Sequence, residues 1–284
     1  MIRKLFSHTL IYGLAPQIPR VASIFVLPLI TPFLTETDFG VFGIITALIG
    51  AVSIFSTLGL NIVMGNMFVK NPGLYKIGWR QLYGFLILWN IPYALILAGI
   101  IYLFIPAEAQ HHTWHIVLSN TLPVVLFGPT ALIGITYYRF KEKPLQIASR
   151  SLIFGFLIVG LNWLFIAKYQ LGYLGWFYSA GFVQLLLQMS YWWPVNRRHK
   201  ISPIFNFKWR FVKQQLKISL PAVPHYYSSY LIDSSDRLLM KGLGVSIQKI
   251  GLYNAAGTVS QPFNMLGVAA GQAVGPMLLQ AFKD

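Results

Sequence analysis

Acidic side chains are scarce in this 284-residue chain: seven Asp and Glu stand against 22 Lys and Arg, a formal net charge of +15. Cysteine is missing altogether, which excludes disulfides, Cys-ligated zinc and thiol catalysis. Charge of either sign is thin, at 10% of residues, where a soluble domain carries roughly 25% to solvate its surface. That shortage excludes a soluble enzyme, a disordered tail and a coiled coil. Apolar residues fill the space, at 56% with a mean hydropathy of +0.60. The composition is that of an all-α polytopic membrane protein, and the ten-residue alternating segments of a barrel are absent. In a soluble protein the basic excess would suggest nucleic acid, but no basic stripe lies on a soluble face, so no nucleic-acid partner is expected.

A hydrocarbon core of about 30 Å takes about 20 apolar residues per helix. Runs free of Asp, Glu, Lys and Arg cover Phe39–Val69, Gln81–Ala107, Gln110–Tyr138, Ser151–Ala167, Tyr169–Asn196 and Ile250–Phe282. Thr9–Leu34 carries one charge, Arg20, and Ile218–Ile232 opens a span that runs into Asp233, Asp236 and Arg237. About eight transmembrane helices are expected: a six-helix lobe over 1–194, a basic linker over 195–217, and the first two helices of a second lobe over 218–284. The basic start before an apolar run has the outline of a signal peptide, but the run is too long and no small-residue cleavage site closes it, so it reads as an uncleaved helix. Alternate loops collect seventeen Lys and Arg, seven of them between Arg197 and Lys217, whereas the opposite loops hold four. By the positive-inside rule the N-terminus is cytoplasmic.

The chain also repeats itself. Gly13-Leu14-Ala15-Pro16-Gln17-Ile18-Pro19 in the first span parallels Ser219-Leu220-Pro221-Ala222-Val223-Pro224 in the seventh. Phe39-Gly40-Val41-Phe42 opens the second as Ile250-Gly251-Leu252-Tyr253 opens the eighth, with offsets of 205 at Pro16/Pro221 and 211 at Gly40/Gly251. Six spans per repeat send both copies into the membrane in the same direction, an organisation found in secondary transporters.

These residues also resemble a known family. The segment from Leu10 to Leu60 is similar to the first two helices of the polysaccharide transport family, the Wzx-type flippases, within the superfamily that also holds multidrug and toxin exporters; the shared features are Thr35, Asp38, Phe39, Gly40 and Phe42. The segment from Ser219 to Phe263 resembles that family's seventh and eighth helices, through the proline after the basic linker, Asp236-Arg237, and Gly251, Tyr253 and Ala255. The third to sixth spans match only as apolar helices. The resemblance implies a flippase for undecaprenyl-pyrophosphate-linked oligosaccharide in a bacterial inner membrane, working by alternating access in surface polysaccharide biosynthesis, with a polysaccharide polymerase and chain-length machinery as partners. Family members carry twelve to fourteen helices in two lobes, so this sequence reads as a piece or a truncated product of a longer transporter.

Transport of such a molecule needs a wet, positive groove for two phosphates, while the lipid tail stays in the bilayer. Arginine suits phosphate because its planar fork donates several bonds and stays charged. Arg20 lies about twelve residues into the first span, roughly 18 Å at 1.5 Å per residue, and a charge at that depth faces a cavity or a partner inside the bundle. The structural alternative is a carboxylate, or carbonyls freed by Pro16 and Pro19. Arg139 is a candidate for pyrophosphate at the inner mouth, or a simple helix-end anchor. Asn61 and Gln261 are candidates for sugar hydroxyls, against interhelical hydrogen bonding, and Tyr253 for stacking on sugar, against an interfacial belt. Asp233, Asp236 and Arg237 form either an ion-coupling site or an intrahelical bridge, since Asp233 and Arg237 stand four apart with the acid first.

His111, His112 and His115 lack accompanying ligands other than Glu108, so no metal is expected. No Gly-rich phosphate loop is present, no cofactor is implied, and the protein is not expected to be an enzyme. Two rivals stand beside the flippase: a cation-coupled exporter of the same superfamily, whose cavity should be acidic or aromatic, and a membrane glycan polymerase or ligase, or a non-transporting assembly subunit. If Arg20 contacts pyrophosphate, Arg20→Ala abolishes surface glycan display and Arg20→Lys retains part of it. Full display by the alanine form would remove Arg20 from the site.

Overall fold

The computed structural model describes residues 17–258 and 260, and no strand occurs among them. The helices are α1 (Gln17–Ile30), α2 (Glu36–Ser53), α3 (Leu60–Lys70), α4 (Tyr75–Phe104), α5 (Thr113–Phe127), α6 (Thr130–Phe140), α7 (Pro144–Trp163), α8 (Tyr173–Trp193), α9 (Trp209–Ser219) and α10 (Val223–Gly242), followed by α11, described over 247–258. Glu36–Lys70, Tyr75–Phe104 and Pro144–Lys168 are long and apolar enough to cross a membrane, and Ala107–Phe127 and Thr130–Phe140 reach that length only together, bent by 57° at their junction. The protein is an all-α polytopic membrane protein. The expected count of eight is larger because Trp, Tyr, Ser and Gln dilute α8 and α10 carries Asp233, Asp236 and Arg237, while the first expected span is described only from Gln17. Most of the eighth expected span lies outside the described residues.

Two spans that the sequence presents as continuous are broken along their course. The first stops at Ser53, passes through a 3-10 turn over Ile54–Ser56, and turns at Leu58 and Gly59, both left-handed at φ 51° and 69°. The second breaks at Gly128, at φ 46°, and Pro129. Without water in hydrocarbon, the freed backbone groups need partners inside the protein. Trp89 Nε1 of α4 donates to the Phe55 carbonyl at 2.8 Å, and the buried Gln188 of α8 accepts from the Ala131 N–H at 2.7 Å. The Tyr83 and Thr130 hydroxyls share a bond of 2.8 Å at the second break.

The apolar core divides by height. One cluster gathers Leu60, Met64, Trp79, Tyr83, Tyr138 and Tyr191; a second gathers Val41, Ile44, Leu97, Ile116, Phe177 and Ile250; a smaller third holds Ile30, Phe39, Ile166 and Trp176. The up-and-down course of the chain explains the split: α4 begins in the first cluster and ends in the second, and α8 does the reverse. The segments 70–80, 139–150 and 197–217, with fourteen of the Lys and Arg residues, adjoin the first cluster and make this the basic end.

Residues 195–217 are docked on that end. Lys76 Nζ donates to the His199 carbonyl at 3.0 Å, Arg80 Nε to that of Ser202 at 2.9 Å, and the Lys208 N–H to Gln81 Oε1 at 3.0 Å. Val195, Ile201 and Val212 are fully buried. His199 lies 4.2 Å from the Tyr137 ring, centroid to centroid; burial, then the charges of Arg198, Lys143 and Lys76, push its pKa down to about 4, so the ring is neutral.

At the opposite end one carboxylate caps two helices. Asp38 Oδ2 accepts from the Thr35 N–H at 2.7 Å while the Asp38 N–H donates to Thr35 Oγ1 at 3.2 Å, closing a capping box on α2. Its Oδ1 accepts from the Tyr173 N–H, at the start of α8, at 2.9 Å. The mid-span bond of Gln188 provides the fold's test. Gln188→Leu leaves the Ala131 N–H without its acceptor and is expected to cost about 1–3 kcal/mol, read as a lower unfolding midpoint in detergent. An unchanged midpoint would mean that another group serves Ala131.

Candidate functional site at the crossing of the repeats

Helices α2 and α11 begin with the glycine landmarks of the expected repeat, and they cross at those glycines. A Cβ on Gly40 would stand 2.2 Å from the Ile247 carbonyl oxygen, and one on Gly251 would stand 1.9 Å from that of Glu36. Glu36 precedes Gly40 by one helical turn, as Ile247 precedes Gly251, and both pairs of equivalents are 211 positions apart. The contact is therefore reciprocal, the pattern a two-fold relation between repeats produces. Any side chain would hold these backbones apart, and glycine lets them close.

The same offset continues deeper along both helices. Gly43 faces Asn254, again 211 positions on: a Cβ on Gly43 would lie 3.1 Å from Asn254 Cβ, and Asn254 Nδ2 donates to the Phe39 carbonyl at 3.1 Å. Helix α10 closes the flank, with the Tyr230 hydroxyl donating to the Ala47 carbonyl at 2.8 Å and its ring against Gly50. Lys241 Nζ donates to the Phe104 carbonyl at 2.5 Å. The crossing thus sits at the end away from the basic loops.

Further along α11 from the crossing, polar groups gather against α10. The Tyr253 hydroxyl donates to Asp236 Oδ2, whose Oδ1 accepts from the Arg237 N–H at 2.8 Å. Arg237 Nη2 lies 3.5 Å from where a Cβ on Gly257 would be, and its Nε is buried with no hydrogen-bond partner among the described residues. A buried guanidinium N–H without an acceptor carries a desolvation cost that an anionic oxygen would relieve.

The sequence candidates therefore separate. Asp236, Arg237 and Tyr253 come together between α10 and α11. Arg139 is exposed at the end of α6, on the basic end, and Asn61 is half-buried in the first turn of α3, just past the break. Arg20 lies on α1 beside Pro19, whose ring is seated on Gly155 of α7, but the side chains of Arg20 and Asp233 lie outside the described residues, as does all of Gln261. The expected Asp233–Arg237 pair falls there too.

His112 and His115 bond the hydroxyls of Tyr173 and Tyr178, each at 2.7 Å, and no group of three His, Cys, Asp or Glu placed to hold a metal occurs among the described residues. Sequence reasoning missed Asn254 and Tyr230. The offset of 211, carried three residues past Gly40, leads to Asn254; Tyr230 bears no such mark.

Residues 5–282 match the model of a family described as "Polysaccharide biosynthesis protein". Comparison with curated proteins and with solved structures returned no match. The polar pair across α10 and α11 can be weighed directly. A double-mutant cycle of Tyr253→Phe and Asp236→Asn is expected to give a coupling of roughly 1 kcal/mol, reduced by the exposure of Tyr253. Zero coupling in thermal unfolding would make the contact incidental.

Proposed function

Because the chain belongs to the polysaccharide biosynthesis protein family, we propose that it is a flippase for undecaprenyl-pyrophosphate-linked oligosaccharide in a bacterial inner membrane, supplying O-antigen, capsule or exopolysaccharide synthesis. The observation that carries this reading past the family is the reciprocal crossing of Gly40 and Gly251. Two repeats related about an axis along the membrane normal, and joined where their backbones meet at one end, are suited to rocking apart there and closing elsewhere. With the basic end placed in the cytoplasm by the positive-inside rule, the N-terminus is cytoplasmic and the crossing closes the outer mouth.

In this mechanism Arg139 meets the pyrophosphate at the inner mouth and Arg20 receives it within the groove. Asn61, Tyr253 and Gln261 bind sugar, and the polyprenyl tail stays in lipid. Asp233, Asp236 and Arg237 form the coupling group: occupancy by a proton or cation drives the cycle only if its affinity differs between the two lobe arrangements. The Tyr253–Asp236 hydrogen bond supports this role, since titrating that carboxylate would alter the contact between α10 and α11. No covalent chemistry is assigned to the chain, and a polymerase with its chain-length machinery would take the product.

The absence of cysteine makes a direct test clean. Gly43→Cys with Asn254→Cys places the Cβ atoms about 3.1 Å apart, near the 3.5–4.5 Å of a disulfide. Oxidation should lock the crossing and arrest surface glycan display, and reduction should restore it, with Asn254→Cys alone unaffected by oxidant. Undiminished display with the cross-link demonstrably formed would sink alternating access through this mouth.

A further inference from the structure

Helix α9 lies against α3 and α4 at the basic end and walls a cavity of about 510 Å³. Its apolar side is formed by Met67, Ile77, Phe211 and Ile218. Gly78 lets two of them approach: a Cβ there would stand 2.9 Å from Met67 Sδ and 3.3 Å from Phe211 Cζ. The groove is open to the surface, and its polar side holds the exposed Asn66, Lys70 and Asn71 and the half-buried Gln215, whose side chains make no hydrogen bond to another described residue. No Asp or Glu occurs between Asp38 and Glu108 or between Glu142 and Asp233, so both segments that build the cavity are free of carboxylates. Outside it, Arg210, Lys213 and Lys217 are exposed on α9, and the exposed Trp209 marks an aromatic of the kind that sits at head-group depth.

A cation with idle amide donors beside an apolar wall matches an amphiphile with an anionic head. The volume suits a phosphate head group and part of one acyl chain. We propose that this cavity holds one anionic phospholipid of the leaflet at the basic end. Its phosphate rests on Lys70 and the amides of Asn66, Asn71 and Gln215, and its chain lies along Met67 and Phe211. The lipid would bridge α9 to α3 and α4 and so hold the docked 195–217 segment in place.

The test uses the full chain purified in neutral detergent, titrated with phosphatidylglycerol, phosphatidylcholine or inorganic pyrophosphate, with bound lipid counted by native mass spectrometry and stability followed by thermal unfolding. One phosphatidylglycerol should remain bound and raise the midpoint, while the other two additives should not. Lys70→Gln should weaken that lipid about five-fold, the effect of one lysine near an anionic surface. Lys70→Arg should retain it, and Lys213→Gln, on the exposed face of α9, should leave it unchanged. Equal loss from Lys70→Gln and Lys213→Gln would reduce the effect to general surface charge and overturn the site. An equal response to phosphatidylcholine would overturn the anionic specificity, and an equal response to pyrophosphate alone would overturn the lipid.

Discussion

The approach of two backbones at Gly40 and Gly251 is the constraint on which the upper half of this molecule is arranged. Because carbonyl and glycine meet without a side chain between them, α2 and α11 are held closer than packed leucines would allow. Asn254, Tyr230 and Lys241 then add hydrogen bonds to backbone carbonyls of α2 and α4 around the same crossing. The bonds run from side chain to carbonyl, so the joint depends on helix position more than on matched side-chain pairs. Such a joint can part without stranding a pair of opposite charges, which suits an element that must open.

The remaining polar groups obey the solvent around them. Gln188, Trp89 and Thr130 sit in apolar spans because two broken helices expose backbone groups that lipid cannot satisfy. Asp38 serves two helix starts at once. Arg237 and Arg150 each hold a buried Nε that has no acceptor among the described residues. Charge is otherwise segregated by height, with a basic end that carries Glu142 among its fourteen Lys and Arg lying against a docked helix whose aromatic and basic residues fit a head-group layer.

Helix class and the basic end were legible in the sequence, because hydropathy and loop charge are properties of consecutive residues. The breaks were not. Gly59 and Gly128 are two of 24 glycines, and nothing in an apolar run distinguishes a turn from a packing contact. The bond of the Tyr253 hydroxyl to Asp236 is a relation across 17 residues and two helices that no local pattern encodes. Residues 195–217 read as a connector because their charge is high; their anchoring depends on backbone carbonyls of His199 and Ser202, which sequence does not display. The landmark glycines were recognised as equivalent, but equivalence does not imply touching. That step needed the three-dimensional arrangement.

The reciprocity of the crossing makes it self-complementary. In a symmetric homodimer each subunit offers the same patch to the other, so residue i meets j while j meets i. Gly40 against Ile247 and Gly251 against Glu36 form that isologous pattern inside a single polypeptide. Each helix therefore presents the other with the same glycine-and-carbonyl surface, so a side chain added on either side of the seam strains it in the same way.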